Sequence, residues 1–571
     1  MKRMIAAIAA AIGFAMGAWA TTYELSTDAG YLVSTPLADG DVITGTLSDK
    51  VNIRIADNAT VTIRNVTIQC KVDDAYDTKN KLDWAGLTCL GNATIILEGA
   101  NTIYGFYIDN PGIFVPETCT LTIKGVGSLF AGSAAFGAGI GAGFNKPCGN
   151  IRIEGGTITA RGGMGAAGIG AAHGGKCGNI IITGGNVAAT TSSQVGDGYL
   201  RHESVNFSGA AGIGSADVGN CGAITIQGGN VTAKGGKYAA GIGSGASSSC
   251  GAISISGGTI NATTGRYDSG AGIGTGSGNC GNINITGGKI NAWGGPDSAG
   301  IGTGSGSCGT ITISSGIYGI TAVRGNLAPN PIGKGKDGSC GTVTIAPGIP
   351  KLISKKRSSS ESGTMQILKT CDLSMLADED LTIPHGMTLR GAGCGPKISI
   401  AAGATVTLDN ARIEGANFDS RKWAGLTCEG DATIVLVGQN NYVHGYYEDY
   451  PGIFVPSGKT LTIQGTGALE ASSRCGAGIG GGWKINCGNI VINNGWITAK
   501  GGDGCPGIGG GDNASCGSIT VDSAFSGLVA ALRSRVVAQH LQHSQVLDAL
   551  DDFSVIGLRT LVVAERVLSE Q

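Results

Sequence analysis

A repeat of about 29 residues is the feature that most constrains the fold. Cysteine followed by glycine occurs seven times between residues 148 and 341, and "AGIG" recurs in phase with it. The intervals between successive cysteines are 29, 44, 29, 30, 28 and 32 residues. A nearly constant period of this length indicates stacked repeats, each of which packs against its neighbours. The cysteines are Cys148, Cys177, Cys221, Cys250, Cys280, Cys308 and Cys340.

Each repeat contains three short apolar segments that we predict to be β-strands. The first follows the cysteine and alternates isoleucine with a polar residue, as in Ile224, Thr225 and Ile226. This period of two is typical of a strand with one buried face. The second segment follows a Gly-Gly pair and the third is "AGIG" itself, so glycine stands at the corners, where positive φ is needed. The pattern predicts an all-β parallel β-helix in which the isoleucines of successive coils stack inside.

A longer duplication is superimposed on the short repeat. "WAGLTCLGNATIILEG" (residues 84–99) returns as "WAGLTCEGDATIVLVG" (residues 423–438). We therefore predict a first β-helix copy with extra repeats at residues 21–350, a linking segment at 351–396 and a second copy at 397–526. Residues 527–571 have helical spacing of leucine, valine and alanine. This α-helical tail is either a cap on the open end of the solenoid or the product of a frameshift in the gene.

The first twenty residues have the pattern of a secretory signal peptide. Lys2 and Arg3 precede the apolar run "MIAAIAAAIGFAMGA", and "AWA" fits a cleavage site after Ala20. No second apolar stretch is long enough to span a membrane. We expect an exported protein of the periplasm, the cell surface or the medium, without a membrane span in its mature form. The net charge of −2 gives no reason to expect nucleic-acid binding.

Taken together, these motifs resemble a known class of proteins. The order "WAGLT…NATIILEG…PGIFVP…TLTIKGVGSL…GAGIG…CGN" is similar to glycine-rich, secreted bacterial proteins with right-handed parallel β-helix repeats. Such proteins are described as carbohydrate-binding or adhesin-like, and they are distantly similar to the pectate-lyase-like superfamily. The resemblance implies a right-handed solenoid. It transfers no catalytic residue, because the superfamily's catalytic residues have no matching motif here.

The candidate binding residues are clustered aromatic and acidic side chains that occur in both copies. "YGFYIDNPGIF" begins at Tyr104 and "HGYYEDYPGIF" begins at His444. Aromatic rings can stack on sugars and a carboxylate can accept hydroxyl hydrogen bonds, so these segments suit carbohydrate. The other interpretation is a lateral loop that packs its aromatic rings over a corner of the coil. The candidates are Tyr104, Phe106, Tyr107, Asp109, His444, Tyr446, Tyr447 and Asp449.

Three further features are weaker candidates. The 44-residue interval contains an insertion whose tips are Tyr199, Arg201, His202 and Glu203. Asp73, Asp74 and Asp77 are best explained as an exposed charged loop, with a calcium site as the weaker alternative, and no other cofactor is expected. Equivalent positions, one per coil, carry Arg161, Thr190, Lys234, Thr263 and Trp293, with Lys500 as the counterpart in the second copy. This column is either an ordinary solvated face, which its few basic members favour, or a track for a linear, anionic polysaccharide.

The cysteines leave two interpretations open. Equivalent Cβ atoms of a parallel ladder lie roughly 4.8 Å apart with parallel vectors, which favours buried, reduced thiols over disulfides. Export to an oxidising compartment favours pairing. For the whole protein we expect glycan binding without catalysis, as in an adhesin. The alternatives are a polysaccharide lyase or glycoside hydrolase, or a purely structural surface element.

Overall fold

The computed structural model describes residues 20–47, 50–69, 84–106, 108–133, 135–192, 209–264, 269–347, 350–356, 363–368, 370–375, 379–394, 397–414, 422–445, 449–522 and 528–531. The chain forms two compact units that divide between Ala346 and Pro347.

The first unit is built from four kinds of short strand, which we number as rows. In the regular repeats, row 1 follows Cys-Gly, row 2 follows Gly-Gly, row 3 includes the Ile-Gly of "AGIG", and row 4 ends at the cysteine; the other strands are assigned by their pairing with these. Row 1 comprises Ala93–Glu98, Thr120–Gly125, Asn150–Ile153, Ile180–Ile182, Ile224–Ile226, Ile253–Ile255, Ile283–Ile285, Ile311–Ile313 and Val343–Ile345. Row 2 comprises Ala100–Tyr104, Ser128–Gly132, Thr157–Met164, Asn186–Ser192, Asn230–Lys234, Thr259–Thr263, Lys289–Trp293 and Gly319–Val323.

Rows 3 and 4 complete each coil. Row 3 comprises Ile53–Ile55, Leu87–Cys89, Ile113–Phe114, Ile140–Gly141, Ile169–Gly170, Ile213–Gly214, Ile242–Ser244, Ile273–Thr275, Ile301–Gly302 and Ile332–Gly333. Row 4 comprises Lys176–Cys177, Asn220–Cys221, Ser249–Cys250, Asn279–Cys280, Ser307–Cys308 and Ser339–Cys340. The strand Ala59–Ile68 runs through rows 1 and 2, and Thr22–Glu24 and Val42–Thr46 precede it.

Successive coils pair in parallel and in register, which confirms the predicted right-handed parallel β-helix with coils of roughly 29 residues. Ile224 lies opposite Ile180 on one side and Ile253 on the other. Because side chains alternate along a strand, this register stacks one isoleucine on the next through the interior. Every member of the column is fully buried: Ile151, Ile180, Ile224, Ile253, Ile283 and Ile311.

Glycine is required at two recurring places in the coil. Gly229 turns the chain from row 1 into row 2 with φ of 85°, a conformation that costs little only for glycine. Gly243 of "AGIG" has φ of 135°, and a Cβ there would lie 2.0 Å from the carbonyl oxygen of Gly274 in the next coil. The glycine content of 103 residues therefore reflects tight corners and close contact between coils.

The second unit repeats the architecture with fewer coils. Its row 1 is Ala432–Leu436, Thr460–Gly465, Asn489–Ile492 and Ile519–Val521, and its row 2 is Asn441–His444, Ala468–Ser472, Trp496–Lys500 and Leu528–Ala531. Row 3 is Ile398–Ile400, Leu426–Cys428, Ile453–Phe454, Ile479–Gly480 and Ile508–Gly509, and Ala404–Glu414 runs through rows 1 and 2. The unit begins with Lys351–Lys356, Gly363–Leu368, Thr370–Asp372, the 3₁₀ turn Leu373–Met375, Glu379–Ile383 and Thr388–Cys394.

A buried asparagine fixes the bend between rows 1 and 2 in each unit. The side-chain nitrogen of Asn101 donates to the carbonyl oxygens of Glu98 and Ser128, both at 3.0 Å. Its side-chain oxygen accepts from the Val66 amide at 2.9 Å. Asn441 makes the same three bonds, with Gly438, Ala468 and Ala411. The duplication thus preserves an internal polar clamp as well as the apolar core.

Two segments differ from the sequence-based expectations. Leu25–Leu32 is an α-helix inside the region predicted as β-helix. Leu25, Ala29 and Leu32 are buried, so the helix covers apolar surface of the neighbouring strands. Leu528–Ala531, at the start of the predicted helical tail, is a strand that pairs in parallel with Trp496–Lys500. The coil pattern therefore continues past residue 527, and residues 532–571 and the predicted signal peptide up to residue 19 lie outside the described residues.

The cysteine ladder differs between the two units. The seven ladder cysteines of the first unit are free thiols. Cys487 and Cys516, which open equivalent coils of the second unit, form a disulfide with a Cα–Cα distance of 4.5 Å. The argument from ladder spacing did not predict this bond, because it assumed that the Cβ vectors stay parallel.

Candidate functional site

The outward side chains of row 2 form one continuous surface in each unit, which we call the front face. Row 2 strands alternate buried and more exposed residues, as in Asn230–Lys234 and Lys289–Trp293. Since the strands are in register, each outward position repeats once per coil, at roughly 4.8 Å. A side chain on this face therefore has a neighbour directly above and below it along the solenoid.

One line on the front face of the first unit carries a large side chain at every second coil. Tyr104, Arg161, Lys234 and Trp293 occupy it. The coils between them contribute small residues at the same position: Gly132, Thr190 and Thr263. Large groups thus recur every two coils, or roughly 9.6 Å. Trp293 is 41% exposed, so its ring has a face available to a ligand.

The charged residues on this face are all basic. The row 2 strands from Ala100–Tyr104 to Gly319–Val323 contain Arg161, Lys234 and Lys289 but no aspartate or glutamate. Most remaining outward positions are threonine or asparagine, such as Asn261 and Asn291, which hydrogen-bond each other at 2.9 Å. The face therefore offers cations and neutral hydrogen-bonding groups to a ligand.

At one end of the line, two aromatic rings pack together. The rings of Tyr104 and Phe130 lie 5.1 Å apart and are tilted by 38°. Gly132 leaves the room for them, because a Cβ at this position would lie 2.9 Å from the Tyr104 ring and 3.0 Å from that of Phe130. The lack of a side chain at Gly132 is thus part of how the pair is accommodated.

The same coils of the second unit carry a charged cluster. Arg412 forms a bidentate ion pair with Glu414, at 2.8 and 2.9 Å, and its guanidinium lies 4.5 Å from the centre of the Tyr442 ring. Lys500 pairs with Glu470 at 2.7 Å. We define the charged cluster as Arg412, Glu414, Tyr442, His444, Glu470, Ser472 and Lys500.

His444 lies inside this cluster and is partly withdrawn from solvent. Its ring stacks on Tyr442 with 6° between the planes. Its Nδ1 lies 2.9 Å from the hydroxyl of Ser472. Burial lowers the pKa of His444, and the Glu414 carboxylate opposes that effect. The imidazole is therefore biased toward its neutral form, which can donate and accept hydrogen bonds.

The structure separates the predicted aromatic residues into different environments. Tyr104 and His444 lie on the front faces as described. Phe106 is only 3% exposed and its ring packs against Trp84 at 5.8 Å, so it supports the corner from inside and offers no ring face to a ligand. The backbone oxygens of Asp109 and Asp449 accept the amides of Phe144 and Trp483 at 2.8 and 2.9 Å. Both aspartates therefore anchor equivalent corners.

Several predicted residues lie outside the described part of the chain. They are Tyr107, Tyr446 and Tyr447, the insertion residues Tyr199, Arg201, His202 and Glu203, and the calcium candidates Asp73, Asp74 and Asp77. Their assignments stay predictions. Within the described residues, no group of three or more histidine, cysteine or acidic side chains is arranged to hold a metal ion.

Sequence reasoning missed Phe130, Arg412, Glu414, Tyr442 and Glu470. Tyr442 lies two residues before His444 in the same strand. The others come close to Tyr104 or His444 only through the register between coils, because they are far apart along the chain. The coils that hold them lack the Gly-Gly pair of the regular repeats, so the motif that aligns those repeats does not reach them. The column from Arg161 to Trp293 was predicted from the residue after "T-A" in successive repeats, and the strand register confirms it.

The comparisons with known proteins agree with the fold. Six segments match the family model described as a β-helix repeat: residues 151–175, 224–246, 253–277, 283–305, 461–483 and 490–512. No curated protein and no solved structure matches significantly. Among the described residues, no helix has the length and apolar character needed to cross a bilayer. By its repeats and its solenoid, the chain is a β-helix repeat protein.

Proposed function

We propose that this is an exported, surface-associated or extracellular protein that binds glycans without catalysis, in the manner of an adhesin. The observation that carries the proposal is the line of large side chains on the first unit's front face. Tyr104, Arg161, Lys234 and Trp293 recur at every second coil. An extended polysaccharide is also a linear polymer with a regular repeat, so successive sugars can meet successive coils.

The chemistry of the face favours an anionic glycan. Arg161 and Lys234 supply charge, and an acid-free surface avoids repulsion of carboxylate or sulfate groups. Trp293 and Tyr104 supply ring faces for the apolar C–H surface of a sugar. Threonine and asparagine between them can exchange hydrogen bonds with hydroxyl groups. All three contributions face the same side of the unit.

The test is affinity electrophoresis or calorimetry with polygalacturonate, with dextran as the neutral comparison. Trp293→Ala should weaken polygalacturonate binding by up to about tenfold, because a ring contact is worth roughly 0.5–1.5 kcal/mol. The matched control is Tyr318→Ala. Tyr318 is 84% exposed but precedes its row 2 strand and lies off the line. Equal losses in both variants, or no binding by the parent protein, would contradict the proposal.

A second candidate function is a polysaccharide lyase or hydrolase centred on the second unit. The observation that favours it is the charged cluster, in which Glu414, Glu470 and His444 share one face with Arg412 and Lys500. Glycosidases use a pair of carboxylates to cleave glycosidic bonds, and histidine is a common general acid or base. Release of reducing ends or unsaturated products from a polysaccharide panel, lost in Glu470→Gln, would establish this activity. No release by the parent protein would leave binding alone.

A further inference from the structure

The second unit shows that equivalent cysteines of adjacent coils can be joined. Cys487 and Cys516 each open a coil with Cys-Gly, 29 residues apart, and they form a disulfide. Cys148 and Cys177 open coils of the first unit with the same motif and the same separation. The amide of Cys148 donates to the carbonyl of Lys176 at 2.7 Å, which holds the two coils in the corresponding register.

The ladder of the first unit is continuous in register but not uniform in its sulfur contacts. Cys177, Cys221, Cys250, Cys280, Cys308 and Cys340 lie opposite one another in turn. The thiols of Cys148 and Cys177 interact, and this contact raises the pKa of Cys177, while their sulfurs also donate to the backbone oxygens of Gly170 and Gly149 at 3.9 and 3.6 Å. A second group runs from Cys250 through Cys280 and Cys308 to Cys340, and its last two sulfurs are 3.1 Å apart. Cys221 donates to the backbone oxygen of Gly222 at 3.3 Å, the shortest of the bonds that ladder cysteines of this unit make to backbone oxygens.

We propose that the ladder is a site of oxidative cross-linking that forms three disulfides, Cys148–Cys177, Cys250–Cys280 and Cys308–Cys340, and keeps Cys221 as a free thiol. The 3.1 Å contact between Cys308 and Cys340 fixes one pair, and the register together with the remaining thiol contacts favours the other two. In a row of four thiols, two disulfides between neighbours can form only if the first thiol pairs with the second and the third with the fourth. A Cys280–Cys308 bond would leave Cys250 and Cys340 without partners.

The chemistry requires an oxidant, which we take to be a small-molecule disulfide of the glutathione class. Each bond forms by thiol–disulfide exchange: the pair loses two protons and two electrons, and these reduce one oxidant disulfide to two thiols. Burial raises the pKa of Cys221, and the hydrogen bond with Cys280 together with burial raises the pKa of Cys308 to about 12. Because the thiolate is the attacking species, exchange should be fast while the coils assemble and slow once they are closed.

The test is peptide mapping of the full chain folded with reduced and oxidised glutathione, then unfolded without reductant and alkylated with N-ethylmaleimide. Trypsin cleaves after lysine and arginine, so each of the seven ladder cysteines falls on its own peptide. We expect three linked pairs and alkylation at Cys221. Alkylation at all seven cysteines, or a link from Cys221 to Cys177 or Cys250, would overturn the proposal.

Two variants make the assignment specific. Cys177→Ser should free Cys148 for alkylation and leave the other two links intact. Cys221→Ser is the matched control, and it should keep all three links while removing the one alkylated ladder cysteine. If Cys177→Ser instead produces a Cys148–Cys221 link, or if Cys221→Ser loses a link, the pairing is wrong. Chain folded under reducing conditions and oxidised afterwards should form the links at least tenfold more slowly; equal rates would contradict the role of burial.

Discussion

The two units place different chemistry on the same face of the same coils. Where the first unit has Tyr104, Phe130 and Gly132, the second has His444, Glu470 and Ser472. The first face is aromatic and cationic without an acid, whereas the second consists of ion pairs around a histidine. The inward residues of both copies are the same kinds of apolar side chain. The two copies thus share their inward residues and differ in their outward residues. We therefore look for function on the front faces.

The largest expected effect tests the shared interior. Ile253→Asp should unfold the neighbouring coils of the first unit, because it would place an unpaired charge in a fully buried isoleucine stack. Hydrogen exchange should show lost protection around Ile224–Ile226 and Ile283–Ile285. The control is Ser254→Asp, on the outward side of the same strand, which should leave protection unchanged. Unchanged protection in Ile253→Asp would break the account of the core.

The next largest effect concerns the buried asparagine that holds the bend between rows 1 and 2 in each unit. Asn101→Ala and Asn441→Ala should each cost about 2–3 kcal/mol of unfolding free energy, because each leaves buried backbone groups without a partner. Chemical denaturation measures both values. Asn440→Ala changes the exposed neighbour and should cost less than about 0.5 kcal/mol. A clear loss in one unit and none in the other would show that the duplicated scaffold is not energetically equivalent.

The smallest expected effect is a difference between the two front faces in how stability depends on pH. Because burial lowers the pKa of His444, the unfolded chain takes up a proton at a higher pH than the folded chain does. The stabilising contribution of neutral His444 is therefore present above its unfolded pKa, near 6.5, and is lost as the pH falls below it. When the pH is lowered from 7.5 to 5, the denaturation midpoint should fall further for the parent protein than for His444→Gln. Tyr104→Phe, at the equivalent place in the first unit, should leave the pH dependence unchanged.

The coil itself was predictable from sequence because its determinants are local and repeated. The alternation around Ile224 gives the strands, and Gly229 and Gly243 mark corners that only glycine fits. The front face was only partly predictable. Arg161, Lys234 and Trp293 follow from the regular period. Arg412 and Glu470 come near His444 only through pairing across coils of unequal length. Phe106 looks like part of an exposed aromatic cluster in the sequence, yet the corner turns it against Trp84.

The most direct test of glycan binding on the first unit's front face is a charge reversal. Lys234→Glu places an acid in the acid-free line, whereas Lys176→Glu makes the same change in net charge on row 4, away from that face. Binding of both variants to polygalacturonate and to dextran would be measured at one ionic strength. We predict that Lys234→Glu loses at least tenfold in polygalacturonate affinity while Lys176→Glu retains the parent value. Equal affinities for the two variants would contradict the assignment of the binding surface.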